Sequence, residues 1–153
     1  MSTLEQRVQI IEDRAALENV LLQYYAAVDS MSDLDSLVDC FTPDAIFDVS
    51  DLGLDTCQGH DAIRKFFTGV FADTRHHCHH VTNFQIRKLE ENTAMARGYV
   101  FARAIGAKDQ QVLVYCCYDI DYVRTAAGWK ITRFDEDALI PLGEDVAQLH
   151  ERA

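Results

Sequence analysis

Apolar residues at three- and four-residue steps open the chain: Leu4, Val8, Ile11, Ala15, Val20 or Leu21, Tyr24 or Tyr25, and Val28. That spacing predicts a helix over residues 4 to 29. Glu5, Arg7, Glu12, Asp13, Arg14 and Glu18 supply its polar face, and Ser2 or Thr3 is placed to cap its start. The pattern breaks at residues 29 to 33. Ser32 is the candidate N-cap of a short second helix carrying Leu34, Leu37, Val38 and Phe41, with Asp35 as the capping-box acid. Thr42-Pro43-Asp44 ends it. Residues 45 to 49 read as a strand and 51 to 59 as a loop punctuated by Gly53 and Gly59. His60-Asp61 opens a third helix, whose buried stripe is Ile63, Phe66, Phe67, Val70 and Phe71.

Beyond residue 76 the period changes to two. Strands are expected at about 78 to 89, 93 to 105, 111 to 123 and 129 to 138. The turns between them fall at Glu90-Glu91-Asn92, at 106 to 109 and at Ala126-Ala127-Gly128. Connections this short join antiparallel neighbours, and strands this long curl. The order implies an α+β fold in which helices cover one face of a curled sheet. Such a cone leaves a cavity suited to a small apolar ligand. Residues 1 to 153 read as a single domain with its core at about 5 to 140, and a tail, 141 to 153, that ends as a frayed helix.

Composition narrows the possibilities. Of 153 residues, 48% are hydrophobic, which suits a folded chain, and 25 acids against 14 bases give a formal charge of −11. No basic run exists to neutralise phosphates, which argues against nucleic acid or an anionic membrane as partner. No apolar run approaches the roughly 20 residues of a membrane span. The N-terminus lacks the basic-then-apolar order of a signal peptide. A cytoplasmic location is expected. The five cysteines form no CxxC and are expected as reduced, packed thiols.

The densest chemistry is His76-His77-Cys78-His79-His80-Val81-Thr82-Asn83, which holds four of the six histidines. Imidazole exchanges protons near neutrality, so a histidine here is a candidate general base. Strict alternation puts His80 on the side of Phe84 and Ile86, and His79 on the other. A bulge near Val81-Thr82 would turn His79 inward instead; His80 is the reserve candidate. His77 and His79, with Asp29 or Cys78, could also ligate zinc. Arg97, Arg103 and Arg133 could hold an anionic oxygen in a pocket, or pair with acids outside.

Several local patterns in order resemble the nuclear transport factor 2-like superfamily, closest to its SnoaL-like branch. They are Ile11-Glu12-Asp13-Arg14-Ala15-Ala16-Leu17, Tyr24-Tyr25-Ala26-Ala27-Val28-Asp29, Phe41-Thr42-Pro43-Asp44-Ala45, Gly59-His60-Asp61-Ala62-Ile63, His79-His80-Val81-Thr82-Asn83 and Gly128-Trp129-Lys130-Ile131. The resemblance implies a cone of curled, mixed, mainly antiparallel sheet under three N-terminal helices. The H-x-x-T-N pattern, with an acid closing the first helix, is similar to a cofactor-free lyase group. That group includes scytalone dehydratase, bile-acid dehydratase and lindane dehydrochlorinase. It implies His79 as base, Asp29 as its orienting partner and Tyr24 as a hydroxyl that polarises substrate. Arg133 is the match for an arginine on the last strand. No cofactor or metal is implied, and a homodimer or higher homo-oligomer is.

The reading that follows is a dehydratase-like lyase, or a related isomerase or cyclase, acting on a small hydrophobic cyclic molecule. Phe47, Phe66, Phe67, Phe101, Tyr115, Tyr118 and Phe134 are candidate core or lining residues, with His80, Tyr25, Phe47, Phe67, Tyr118 and Arg133 as substrate contacts. The alternative is a non-catalytic ligand-binding or dimerisation domain of the same shape. The two separate on whether His79 and Asp29 meet inside a closed pocket.

Overall fold

Thr3 starts the first helix. Its hydroxyl accepts from the Gln6 amide at 3.2 Å while Gln6 Oε1 accepts from the Thr3 amide at 2.8 Å, a complete capping box. The computed structural model describes residues 3–141. Ser2 and the predicted tail helix lie outside the described residues. From Thr3 the chain forms α1 (Leu4–Ser30), α2 (Leu34–Asp39) and β1 (Phe41–Asp48). A 3-10 turn (Ser50–Leu52) and β2 (Cys57–Gln58) lead to α3 (Gly59–Asp73). Then come β3 (Thr74–Leu89), β4 (Thr93–Gly106), β5 (Gln111–Thr125) and β6 (Gly128–Ala138). The six strands form one unclosed sheet in the order β2-β1-β6-β5-β4-β3. Its neighbours are antiparallel except β1 and β6, which run parallel. The α+β architecture, three helices over a mixed sheet, is the one expected from the sequence.

Several boundaries differ from that expectation. Asp33, not Ser32, caps α2, its Oδ1 accepting from the Ser36 amide at 2.9 Å. Phe41 does not extend α2 but opens β1 opposite Ile131. Pro43 is tolerated in β1 because the register slips between Phe41 and Ile46, where no ladder donor is required. Gly59 turns the chain into α3 at φ +80°, and a Cβ there would meet the Pro43 carbonyl at 3.1 Å. The histidine run is strand throughout, because β3 begins directly at the end of α3.

The apolar stripe of α1 is buried only from its middle onward, as Leu17, Leu21, Tyr24 and Val28; Leu4, Val8 and Ile11 are exposed. Asp13, expected on the polar face, is buried. Its Oδ1 accepts from Trp129 Nε1 at 3.1 Å and its Oδ2 from Arg124 Nη2 at 2.7 Å. The Arg124 guanidinium lies 4.3 Å from the centre of the Trp129 ring. Burial alone would raise the Asp13 pKa, but these bonds hold it below the usual value. One carboxylate therefore fastens α1 to the β5–β6 hairpin.

Bulges set which side chains face inward. In β3, Thr82 pairs with Tyr99 and Gln85 with Arg97, so two residues, Asn83 and Phe84, oppose Gly98 alone. Asn83 takes up the excess in the left-handed region, φ 54°. Before it, His77, His79 and Val81 are half-buried; after it, Phe84 and Ile86 are. In β6, Asp121 pairs with Arg133 and Tyr122 with Ile131, which leaves Thr132 over. Trp129 and Ile131 are buried before that point, Phe134 and Glu136 after it.

Replacing Asp13 with alanine leaves Arg124 and the Trp129 N–H without their buried acceptor. The expected cost is on the order of 3 kcal/mol of unfolding free energy, read from urea unfolding. A loss below about 1 kcal/mol would reduce the cluster to an ordinary surface pair.

Candidate active site

Asp29 lies in the last turn of α1, just before the chain leaves the helix at Met31 in the left-handed conformation. β3 is the outermost strand of the sheet at that side. An outer strand carries N–H groups with no neighbouring strand to accept them. Asp29 accepts one of these: its Oδ2 takes the His79 backbone N–H at 3.0 Å. Its Oδ1 takes the His79 ring at Nδ1, at 2.6 Å. The His79 side chain is 5% exposed and the Asp29 side chain 30%.

Burial alone would raise the Asp29 pKa. The ring and backbone hydrogen bonds from His79 outweigh it and hold the carboxyl below its usual value. An ionised carboxylate only accepts, so the proton between them sits on Nδ1, and in the neutral ring it is Nε2 that carries the lone pair.

The His79 ring lines a cavity of about 110 Å³. The wall is largely apolar and includes Val28, Phe47, Phe67, Ala102, Val114 and Tyr118. Tyr24 is fully buried in it, edge-on to Phe41 and Phe67 and 5.0 Å from the Phe134 ring centre. Burial, and then the nearby Glu136 carboxyl, push its phenol well above the ordinary tyrosine pKa. A larger hollow of about 490 Å³ opens between α1 and α2. Small and polar residues such as Ser30, Ser32 and Asp33 line it, and no histidine or aromatic does.

A profile of the SnoaL-like domain matches residues 9–135. The chain belongs to the SnoaL-like domain family. It is similar to a candidate aromatic ring hydroxylase from Novosphingobium aromaticivorans, at 42% identity and a TM-score of 0.85, over 89% of this chain and 97% of that one. An uncharacterised protein of Mycobacterium tuberculosis is 33% identical over 126 residues, 80% of this chain and 83% of its own. A candidate scytalone dehydratase from N. aromaticivorans shares the fold, with a TM-score of 0.77 at 23% identity, over 86% of this chain and 87% of that one. The family match bears out the SnoaL-like resemblance read from the sequence.

In this SnoaL-like chain the expected contacts divide. Tyr24, Phe47, Phe67 and Tyr118 line the cavity with His79. Tyr25 stands behind it: its ring packs 5.0 Å from His79 and stacks at 5.8 Å on Tyr118. Its hydroxyl lies near that of Tyr118 without forming a well-directed hydrogen bond. His80 is on the outer face, exposed, with its ring 6.0 Å from Phe101. The Asn83 bulge is the reason, because it gives the inward positions to His77 and His79. Phe101 and Tyr115 also pair on the outer face, 4.9 Å apart. Arg133 is held outside by Asp135 at 2.7 Å and Asp48 at 3.5 Å. Arg97 is likewise paired with Asp119, and Arg103 with Gln111.

His77, weighed above as a zinc ligand, and Glu136 also line the cavity. His77 lies 4.5 Å from the His79 ring, and its Nδ1 is buried with no partner among the described residues. Burial, then the adjacent His79, depress its pKa to about 4, so it stays neutral. Glu136 is buried and has no basic partner among the described residues. Desolvation pushes its carboxyl up to about 7, against hydrogen bonds with Cys116 and Tyr118 that favour the anion. The spacing Phe134, Glu136 on one side of a strand was the signal that could have marked it.

Asp29, His77 and His79 each offer a ligand atom, all within 4.8 Å of one another. Two donors bound at right angles to one ion, about 2.1 Å away, sit about 3 Å apart. The Asp29–His79 contact of 2.6 Å is shorter and fits a shared proton better than a shared metal.

Glu136 binds its proton more tightly folded than unfolded, since its pKa rises from 4.5 to about 7. Its contribution to stability is therefore full below pH 4.5 and lost as pH rises through about 7. Across that window the wild-type protein is expected to lose roughly 3 kcal/mol relative to Glu136→Gln. Unfolding curves for the two proteins that stay parallel with pH would contradict this.

Proposed function

We propose that the protein is a cofactor-independent lyase or a related isomerase, which removes a proton beside a carbonyl of a small, uncharged, cyclic substrate. The observation carrying this reading is the Asp29–His79 pair set in the wall of an apolar cavity. Asp29 fixes the tautomer and stabilises the imidazolium that forms, and His79 Nε2 takes the proton. The Tyr24 hydroxyl, in the same wall, donates to the carbonyl oxygen and stabilises the enolate.

The lining limits the substrate. Among the described residues no lysine or arginine lines it, and the ionised Asp29 carboxylate stands behind His79. An anionic substrate would lose its hydration with nothing to replace it. The volume of about 110 Å³ suits one small ring, since an apolar cavity of about 150 Å³ takes up benzene. Elimination and isomerisation share the first step. The likeness of fold to a candidate scytalone dehydratase favours elimination.

The relative described as a candidate aromatic ring hydroxylase gives a second reading. Ring hydroxylation needs a group that activates oxygen, and the unpartnered His77 beside His79 and Asp29 is where a metal would be held. Metal analysis of the purified protein separates the two readings. Stoichiometric iron or copper would support hydroxylation; a metal-free protein that still turns over would support proton transfer.

In heavy water the protein is expected to exchange deuterium into cyclohexanone at the carbons beside the carbonyl, followed by NMR. His79→Ala should lose this exchange by about 100-fold or more with little change in thermal midpoint. Asp29→Asn should lose most of it by releasing the wrong tautomer. Exchange at the wild-type rate in His79→Ala would end the proposal.

A further inference from the structure

Proton abstraction by His79 gives the buried Glu136 no task. Its presence needs a reason, because a buried carboxyl without a cation costs stability that a leucine or glutamine would not. The Thr132 bulge turns the side-chain phase of β6 so that Glu136 follows Phe134 to the inner face. There it lines the same cavity as His79 and Tyr24. The groups facing it are Tyr24 and Tyr25 of α1, Cys116 and Tyr118 of β5, and Asp137 beside it on β6. His77 and His79 of β3 share its cavity, and no lysine or arginine among the described residues lines it.

Building on the base assigned above, we propose that Glu136 is the general acid of the cavity and that the substrate is an uncharged single-ring β-hydroxy carbonyl compound, which the protein dehydrates. His79 Nε2 takes the proton from the carbon between the carbonyl and the carbinol. The electrons of that C–H bond form the new double bond. The C–O bond of the carbinol breaks toward oxygen, and that oxygen takes the Glu136 proton and leaves as water. Imidazolium and carboxylate remain, and proton transfer from one to the other through the released water restores both.

The assignment selects among leaving groups. Hydroxide is a poor leaving group and needs the proton; chloride or a carboxylate departs as a stable anion and does not. Among the hydroxyls and carboxyls of the lining, Glu136 is the strongest neutral acid. Burial lifts the Tyr24 and Tyr118 phenols well above their ordinary value, whereas the Glu136 carboxyl stays near neutrality. An acid poised close to the working pH is the efficient one.

The test uses 3-hydroxycyclohexanone and 3-acetoxycyclohexanone, which both give 2-cyclohexenone, followed by its absorbance. With the full chain, Glu136→Gln is expected to lower kcat/KM for the hydroxy compound by about 100-fold or more. It should change kcat/KM for the acetoxy compound by less than about threefold, which also shows that the variant is folded. The wild-type rate on the hydroxy compound should fall as pH rises through about 7, and the acetoxy rate should not. Equal slowing of both compounds, slowing of neither, or a hydroxy profile flat across that pH would overturn the role of Glu136. The His79 base would still stand if His79→Ala abolished both eliminations. Wild-type protein that exchanges deuterium into cyclohexanone but releases no water from the hydroxy compound would overturn the substrate class alone. Protein that does neither removes the base and this inference together.

Discussion

Two hydrogen bonds from one residue to one carboxylate hold the candidate site together. Asp29 accepts the ring N–H and the main-chain N–H of His79, so it fixes the imidazole and the strand beneath it in one step. The main-chain bond also meets a requirement of the fold, because an outer strand must do something with its outward amides. Anchoring the histidine and finishing the sheet edge are thus the same interaction. It depends on α1 ending where it does, at the left-handed Met31.

Around that anchor, three titratable side chains are held in three different states by their surroundings alone. Asp29 is ionised because two donors reach it. His77 is neutral because it is buried beside another imidazole. Glu136 is poised near neutrality, its pKa lifted to about 7, because it is buried with no cation beside it among the described residues. A low-dielectric wall makes such differences large, and groups whose surroundings push their pKa values apart can exchange protons without leaving their places.

The elements were legible from periodicity, since the 3.6-residue stripe of α1 and the two-residue alternation of β3 to β6 are strong signals. The exposed Leu4, Val8 and Ile11 show the limit of the first: period marks a face, not what covers it. The outward Phe101 and Tyr115 show the limit of the second, because alternation does not say which side of a sheet meets the helices. Asp13 was misplaced because its partners, Arg124 and Trp129, lie more than a hundred residues away. The pairing of His79 with Asp29 was legible only through the family resemblance. Their separation of 50 positions leaves no local trace. Arg133 matched a family position, yet two acids on neighbouring strands hold it outside. Glu136 was hidden by Thr132, a surplus residue that looks like any other in the strand.

Asn83 carries a wider implication. The stretch before it faces the candidate site and the stretch after it faces the hydrocarbon interior, and this residue is the joint between them. Straightening the strand there without losing a residue would leave Phe84 and Ile86 where they are while turning everything upstream by one step. The chamber would then be offered a thiol from Cys78 and an imidazole from His80, a different reagent set on an unaltered scaffold. In such an architecture a bulge gained or lost can do what many substitutions cannot, so the strand joint is a place where relatives of one shape come to differ in reactivity.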